Sequence, residues 1–131
     1  MLPAHHRLRT PEHFRAVSRR GRRAGSRTVV THLLRSPTPP VVDVSPESGP
    51  GAPRVGFVVS KAVGNAVVRN QVKRRLRHAA AERLDRLVPG SLLVIRAQPS
   101  AATARYQELE ADVDRCLERL LRAESAEQVS R

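Results

Sequence analysis

Apolar residues fall into a few short patterned stretches along this chain, and each predicts a different element. Thr10-Pro11-Glu12 reads as a helix start: a capping hydroxyl, proline at the first helical position and an acid in the first turn. A short helix from about 11 to 19 would carry Phe14 and Val17 on one side, with Gly21 and Gly25 ending it in a basic turn. Residues 28–35 (TVVTHLLR) are β-branched at the start and predict a strand. Residues 54–60 (RVGFVVS) predict a second, with Val55, Phe57 and Val59 on one face and Val58 on the other. Apolar groups on both faces point to a central strand.

A helix is expected from near Asn65 to about Leu87, where Pro89-Gly90 stops it, and SLLVIRA (91–97) is a third, nearly all-apolar strand. Strand, helix and strand in this order form a β-α-β unit and imply a parallel pair. Pro99-Ser100 opens a last helix, where Tyr106, Leu109, Val113, Cys116, Leu117 and Leu120 recur at three- and four-residue steps. Cys116 falls within that stripe, so a buried inert thiol is expected. Between the first two strands, residues 36–53 hold six prolines and two glycines, which predicts a mobile loop inserted between neighbouring strands. The chain reads as one α/β domain over 1–131, an α+β sandwich with frayed termini.

Charge changes the picture. Twenty-four Lys and Arg stand against 12 Asp and Glu, for a formal net charge of +12. An excess this large points to a polyanionic partner rather than to a merely soluble surface. Residues 1–35 carry nine Arg against Glu12 alone, and residues 54–86 carry seven Arg and two Lys against Glu82 and Asp85. From 97 to 131 five Arg face seven acids, which sets the last helix outside the basic surface. One cysteine, no apolar run of membrane-spanning length and an N-terminus without a signal-peptide core lead to the expectation of a cytoplasmic protein with no membrane contact.

The informative segment is Lys61 to Arg77, KAVGNAVVRNQVKRRLR. On a helix Val68, Val72, Leu76 and Ala79 share the side that packs on the sheet, and Asn70, Lys73, Arg74 and Arg77 lie opposite, with Asn65 and Arg69 toward the flank. Crowded cations repel by several tenths of a kcal/mol per close pair, roughly, and a polyanion relieves that. Arginine forks bond two phosphate oxygens, and the asparagines can read a sugar hydroxyl or base edge. A merely solvated basic face is the plainer alternative. Arg75 falls near the apolar stripe and is expected to bury its stem while keeping its head wet.

Gly64-Asn65-Ala66-Val67, Arg69-Asn70, Lys73-Arg74 and Arg77, after the strand RVGFVVSK, closely resemble the arginine-asparagine-arginine signature helix of bacterial ribonuclease P proteins. HRLRTPEHFRAV resembles the opening segment of that family, and SLLVIRAQPSA its later strand and turn. The resemblance implies a ribosomal protein S5 domain 2-like α-β sandwich: a small central mixed sheet, a β-α-β crossover that is left-handed against the general rule, and flanking N- and C-terminal helices. It further implies an accessory subunit of an endoribonuclease that matures tRNA 5′ ends, monomeric within a ribonucleoprotein. Lys61, Asn65, Arg69, Asn70, Lys73, Arg74 and Arg77 would face the catalytic RNA. Phe14, Arg15, Ser18, Arg19, Arg27 and His32 would line a cleft for the single-stranded leader of precursor tRNA. Hydrolysis would proceed at RNA-bound Mg2+, with no catalytic residue, metal site or cofactor in the protein.

The chain departs from the family where Ser18 and His32 take places often held by aromatics. Stacking contributes about 1–3 kcal/mol per base in such sites, so a cleft leaning on Arg15, Arg19 and Arg27 should be more salt-sensitive. Phe14 is equally compatible with simple core. His5, His6, His13, His32 and His78 show no spacing that converges three ligands. Glu108, Glu110, Asp112 and Asp114 alternate along the last helix and read as a solvated face rather than as a nuclease carboxylate pair. Composition alone leaves open a stand-alone structural RNA-binding protein, and the signature helix favours the ribozyme subunit.

Overall fold

The computed structural model describes residues 11–35, 53–87 and 91–129, with side chains described from 14 to 34, 53 to 87 and 91 to 122. The predicted loop at 36–53, except Pro53, lies outside the described residues, as do the chain ends and the Pro89-Gly90 stop. The elements run α1 (Pro11–Arg20), β1 (Arg22–Gly25), β2 (Val29–Arg35), β3 (Arg54–Val58), α2 (Ala66–Ala81), β4 (Ser91–Ala97) and α3 (Tyr106–Val129). One mixed sheet has the order β1-β2-β4-β3, with β3 and β4 parallel and the other pairs antiparallel.

Strand β1 is an addition to what the sequence predicts. RRAG reads as a basic turn, yet it pairs with β2 from Arg22↔Leu33 to Gly25↔Val30. Gly21 makes the reversal possible: a Cβ there would lie 2.9 Å from the Leu33 carbonyl oxygen. Ser26 closes the hairpin, its N–H donating to the Val29 carbonyl at 2.8 Å. Strand β3 is a correction of a second kind. It lies at the sheet edge, and β4 takes the centre. Burial of both faces of β3 comes from the layers above and below it, which says nothing about hydrogen-bonding neighbours in the plane of the sheet.

Alternation along the strands sorts the core into two layers. Leu33, Val55, Leu93 and Ile95 face α2 and α3, where Val72, Leu76, Leu109, Val113, Cys116, Leu117 and Leu120 are buried. On the opposite face Val17 of α1 packs with Leu92 and Val94, and Phe14, Leu34 and Val58 close around them. The α3 stripe and the buried free thiol of Cys116 are as the periodicity predicts.

Helix α2 is shorter than predicted. It ends at Ala81 and gives way to a 3₁₀ turn at Leu84–Arg86. The Arg83 guanidinium reaches back over the helix end, its Nη1 donating to the Ala79 carbonyl at 2.8 Å. A second 3₁₀ turn, Pro99–Ala102, precedes α3, which starts at Tyr106 rather than at Pro99. Among the described residues no helix is long and apolar enough to cross a membrane.

Candidate nucleic-acid interface

Helix α2 begins at Asn65, whose side chain accepts a hydrogen bond from the Val68 N–H at 3.0 Å. Its oxygen is thus committed to capping, which leaves the amide nitrogen as the group free to meet a ligand. Val72, Leu76 and Ala79 are buried, Val68 is half-buried, and Asn70 and Arg74 are exposed on the far side. Lys73 and Arg77 lie half-buried at the borders of that arc, and Lys61 is exposed in the turn before the helix. Arg69 is half-buried, and its Nε is enclosed without a hydrogen-bond partner. Arg75 follows its predicted course: half-buried, it donates from Nη1 to the Ala104 carbonyl at 3.3 Å.

No carboxylate among the described residues pairs with Lys61, Arg69, Lys73, Arg74 or Arg77. The acids are engaged elsewhere. Arg83, only 10% exposed at its side chain, binds Asp114 through Nε and Nη2 and meets Glu110 at 3.2 Å. Arg86 reaches Asp114 at 3.0 Å, and His78 lies 3.2 Å from Glu82. The Arg83 bonds hold the Asp114 carboxyl below its ordinary value of 3.8. Buried Asp112 accepts from the Thr28 hydroxyl and from its N–H at 3.2 Å. The expected solvated acidic face on α3 is therefore a set of specific clasps, and no three acids, histidines or cysteines among the described residues converge to hold a metal.

The opposite face holds the predicted cleft residues, with one exception. Phe14 is half-buried against the Val17, Leu92 and Val94 cluster, so its ring serves the core while keeping a rim in solvent. Ser18, Arg15 and Arg19 are exposed on α1. His32 points to the same side of the sheet as Val94 and Leu92. Its Nδ1 is enclosed without a partner. Burial, and then the charges of Arg23 and Arg96, hold the imidazole below its ordinary 6.5. Arg27 does not join this group: it sits in the β1–β2 turn and pairs with Glu108 of α3 at 2.9 Å, on the other face.

Arg23 and Arg96 are the site residues that sequence reasoning misses. Arg23 is directly opposite His32 across β1–β2, and Arg96 is opposite Val30 across β2–β4, so the three side chains share one sheet face. Arg96 does leave a trace in the sequence, as the lone charge in the apolar strand SLLVIRA and the lone exposed residue of that strand. Arg23 leaves none, because the strand it belongs to is itself hidden.

The ribonuclease P family model matches residues 2–121. The ribonuclease P protein component of Streptomyces bikiniensis is 54% identical over 121 residues, covering 92% of this chain and 96% of the relative. That of Acidothermus cellulolyticus is 44% identical over 130 residues, covering 99% of this chain and all 100% of the relative. Among solved structures, the ribonuclease P protein of Staphylococcus aureus superposes with a TM-score of 0.70 at 19% identity, over 86% of this chain and 93% of that one. The Thermotoga maritima protein gives 0.68 at 18%, over 86% and 96%. The sheet order, the α2 arc and these matches agree, and the chain belongs to the ribonuclease P protein family.

Proposed function

We propose that this chain is the protein subunit of a ribonuclease P ribonucleoprotein, binding the catalytic RNA through α2 and the 5′ leader of precursor tRNA through the face under α1. The observation that carries the reading is that two sets of cations lie on opposite faces of one sheet, each without a carboxylate partner among the described residues. One set is Lys61, Arg69, Lys73, Arg74 and Arg77, and the other is Arg15, Arg19, Arg23 and Arg96. A protein so built can stand between two phosphate backbones and offset the repulsion between them, which lowers the magnesium concentration the assembly needs.

In this reading the α2 arc docks on the catalytic RNA, with guanidinium forks on phosphate oxygens and the Asn70 amide on a ribose or base edge. The leader lies along β1, β2 and β4. Arg23 and Arg96 take its phosphates, and the half-buried imidazole ring of His32 beside them offers a polar ring where the family resemblance leads to the expectation of an aromatic one. Mg2+ supplies the charge stabilisation for hydrolysis when bound to the RNA. Among the described residues the α3 carboxylates do not fit it, because Glu108, Glu110, Asp112 and Asp114 are engaged by Arg27, Arg83, Arg86 and Thr28 and do not converge as a metal cluster. The protein binds, orients and neutralises, and no side chain acts as nucleophile or base.

Precursor-tRNA cleavage at low magnesium tests this directly, with protein alone, catalytic RNA alone and both together. Mature 5′ ends only with both support the reading. Cleavage by protein alone, or no stimulation of the RNA, would overturn it.

A further inference from the structure

The last helix groups its arginines around its axis. Its N-terminal half carries the acids clasped by Arg27, Arg83 and Arg86. Arg115, Arg119 and Arg122 follow at steps of four and three residues, which places them on one flank. All are exposed, and none forms an ion pair with a described residue. Arg119 fixes which flank this is, because its Nη1 donates to the Gly25 carbonyl at 3.0 Å and so leans over the outer end of β1. Glu118 is exposed within the same turns and Asp112, three residues before Arg115, is buried against Thr28, so the flank holds three exposed cations against one exposed acid among the described residues.

Between β1 and α3 lies a cavity of about 400 Å³, lined by Arg22, Arg23, Ala24, Gly25, Arg119 and Leu120. No carboxylate and no aromatic ring contributes to that lining. Arg23 belongs to both places: it borders this cavity and stands opposite His32 in the cleft. The cationic surface is therefore continuous from the sheet face, around the β1 edge, to the α3 flank.

We propose that the single-stranded leader, after leaving the cleft, turns over the β1 edge and lays its phosphates on Arg115, Arg119 and Arg122. This extends the leader-binding reading above and rests on it. Continuity through Arg23 selects the leader as the occupant, and the chemistry of the lining says how it is held. Guanidinium forks match phosphate oxygens, and without a ring to stack on, the bases contribute little. The contact is thus independent of leader sequence and strongly dependent on salt.

The test uses the reconstituted holoenzyme under non-cleaving conditions. It compares precursor tRNAs whose leaders just fill the cleft with others whose leaders extend well past it. Wild-type protein should bind the long leader more tightly. Arg115→Gln with Arg122→Gln removes two phosphate contacts and should cost roughly 10-fold in affinity for the long leader at physiological salt and nothing for the short one. Neither side chain makes a described contact, and an unchanged unfolding midpoint would verify the fold. Equal affinity of wild type for both leaders, or an equal loss on both, would overturn the proposal, the second result assigning these arginines to the catalytic RNA. Failure of the cleft reading shows separately, as a short-leader affinity indifferent to Arg96→Ala.

Discussion

Replacing Lys73 and Arg74 together by glutamine removes two of the five unpaired cations of the α2 arc without removing any described contact of either side chain. Glutamine has a helix propensity close to that of both residues, so α2 should persist. If each of the five neutralises one phosphate of structured RNA, the log–log slope of affinity against salt is about −4.5 for the wild type. The double variant should bring it to about −2.7. The same arithmetic gives an affinity loss of about 30-fold at 0.15 M salt, shrinking to about 3-fold at 0.5 M. The assay is equilibrium binding of the protein to catalytic RNA across a salt series, with the unfolding midpoint as a control on the fold. A slope that does not change would refute the reasoning even if affinity falls, since a loss equal at all salts is not counterion release. A wild-type slope near −1 would make the arc ornamental.

Other expectations follow from single side chains. Arg83→Ala removes the clasp on Asp114 and the bond to the Ala79 carbonyl, and leaves Glu110 and Asp114 facing each other. Because those acids are 36% and 40% exposed, the cost should fall below that of a fully buried pair, at about 2 kcal/mol, read from urea denaturation. The Asp114 carboxyl titrates below its unfolded value of 3.8, so its stabilisation is complete above that pH and is lost as pH falls below it. Asp114→Asn should flatten that part of the stability–pH curve, and an unchanged curve would argue against the clasp. Gly21→Ala drives a methyl group against the Leu33 backbone at 2.9 Å and should destabilise by about 2 kcal/mol, since backbone on that side cannot yield as a side chain can. His32 is held neutral near pH 7 by burial, Arg23 and Arg96, and a bound phosphate favours its protonated form. Affinity for leader-bearing substrate should therefore rise as the solution is made more acidic, at pH values under the ordinary imidazole range, and His32→Asn should abolish that rise.

Helix α3 is legible in the sequence because Leu109, Val113, Cys116, Leu117 and Leu120 keep a helical period and meet one continuous core. The α2 arc is legible for the converse reason, as its charges collect where the apolar period is empty. Strand β1 is not legible, since RRAG shows neither alternation nor β-branching and pairs only because Gly21 lets the chain fold back on β2. The cleft suffers from the same blindness. Arg23 arrives beside His32 by strand pairing alone, whereas Arg27, four residues on, is turned to the other face by the hairpin. The acids of α3 are legible as a pattern but not in their role, because their partners lie between 27 and 84 residues away in sequence.

The β1–β2 turn shows what those long separations mean in time. Arg27 meets Glu108, Thr28 meets Asp112, Gly25 meets Arg119 and the Arg27 carbonyl meets the Ser100 hydroxyl, all across 73 to 94 residues. A contact that closes so long a loop cannot form while its second half is still being synthesised. Helix α2, closed by its own cap and local hydrogen bonds, needs only nearby sequence. On a translating ribosome the two regions would thus mature in sequence: the turns of α2 can form first, and the β1–β2 turn is locked only after α3 has emerged.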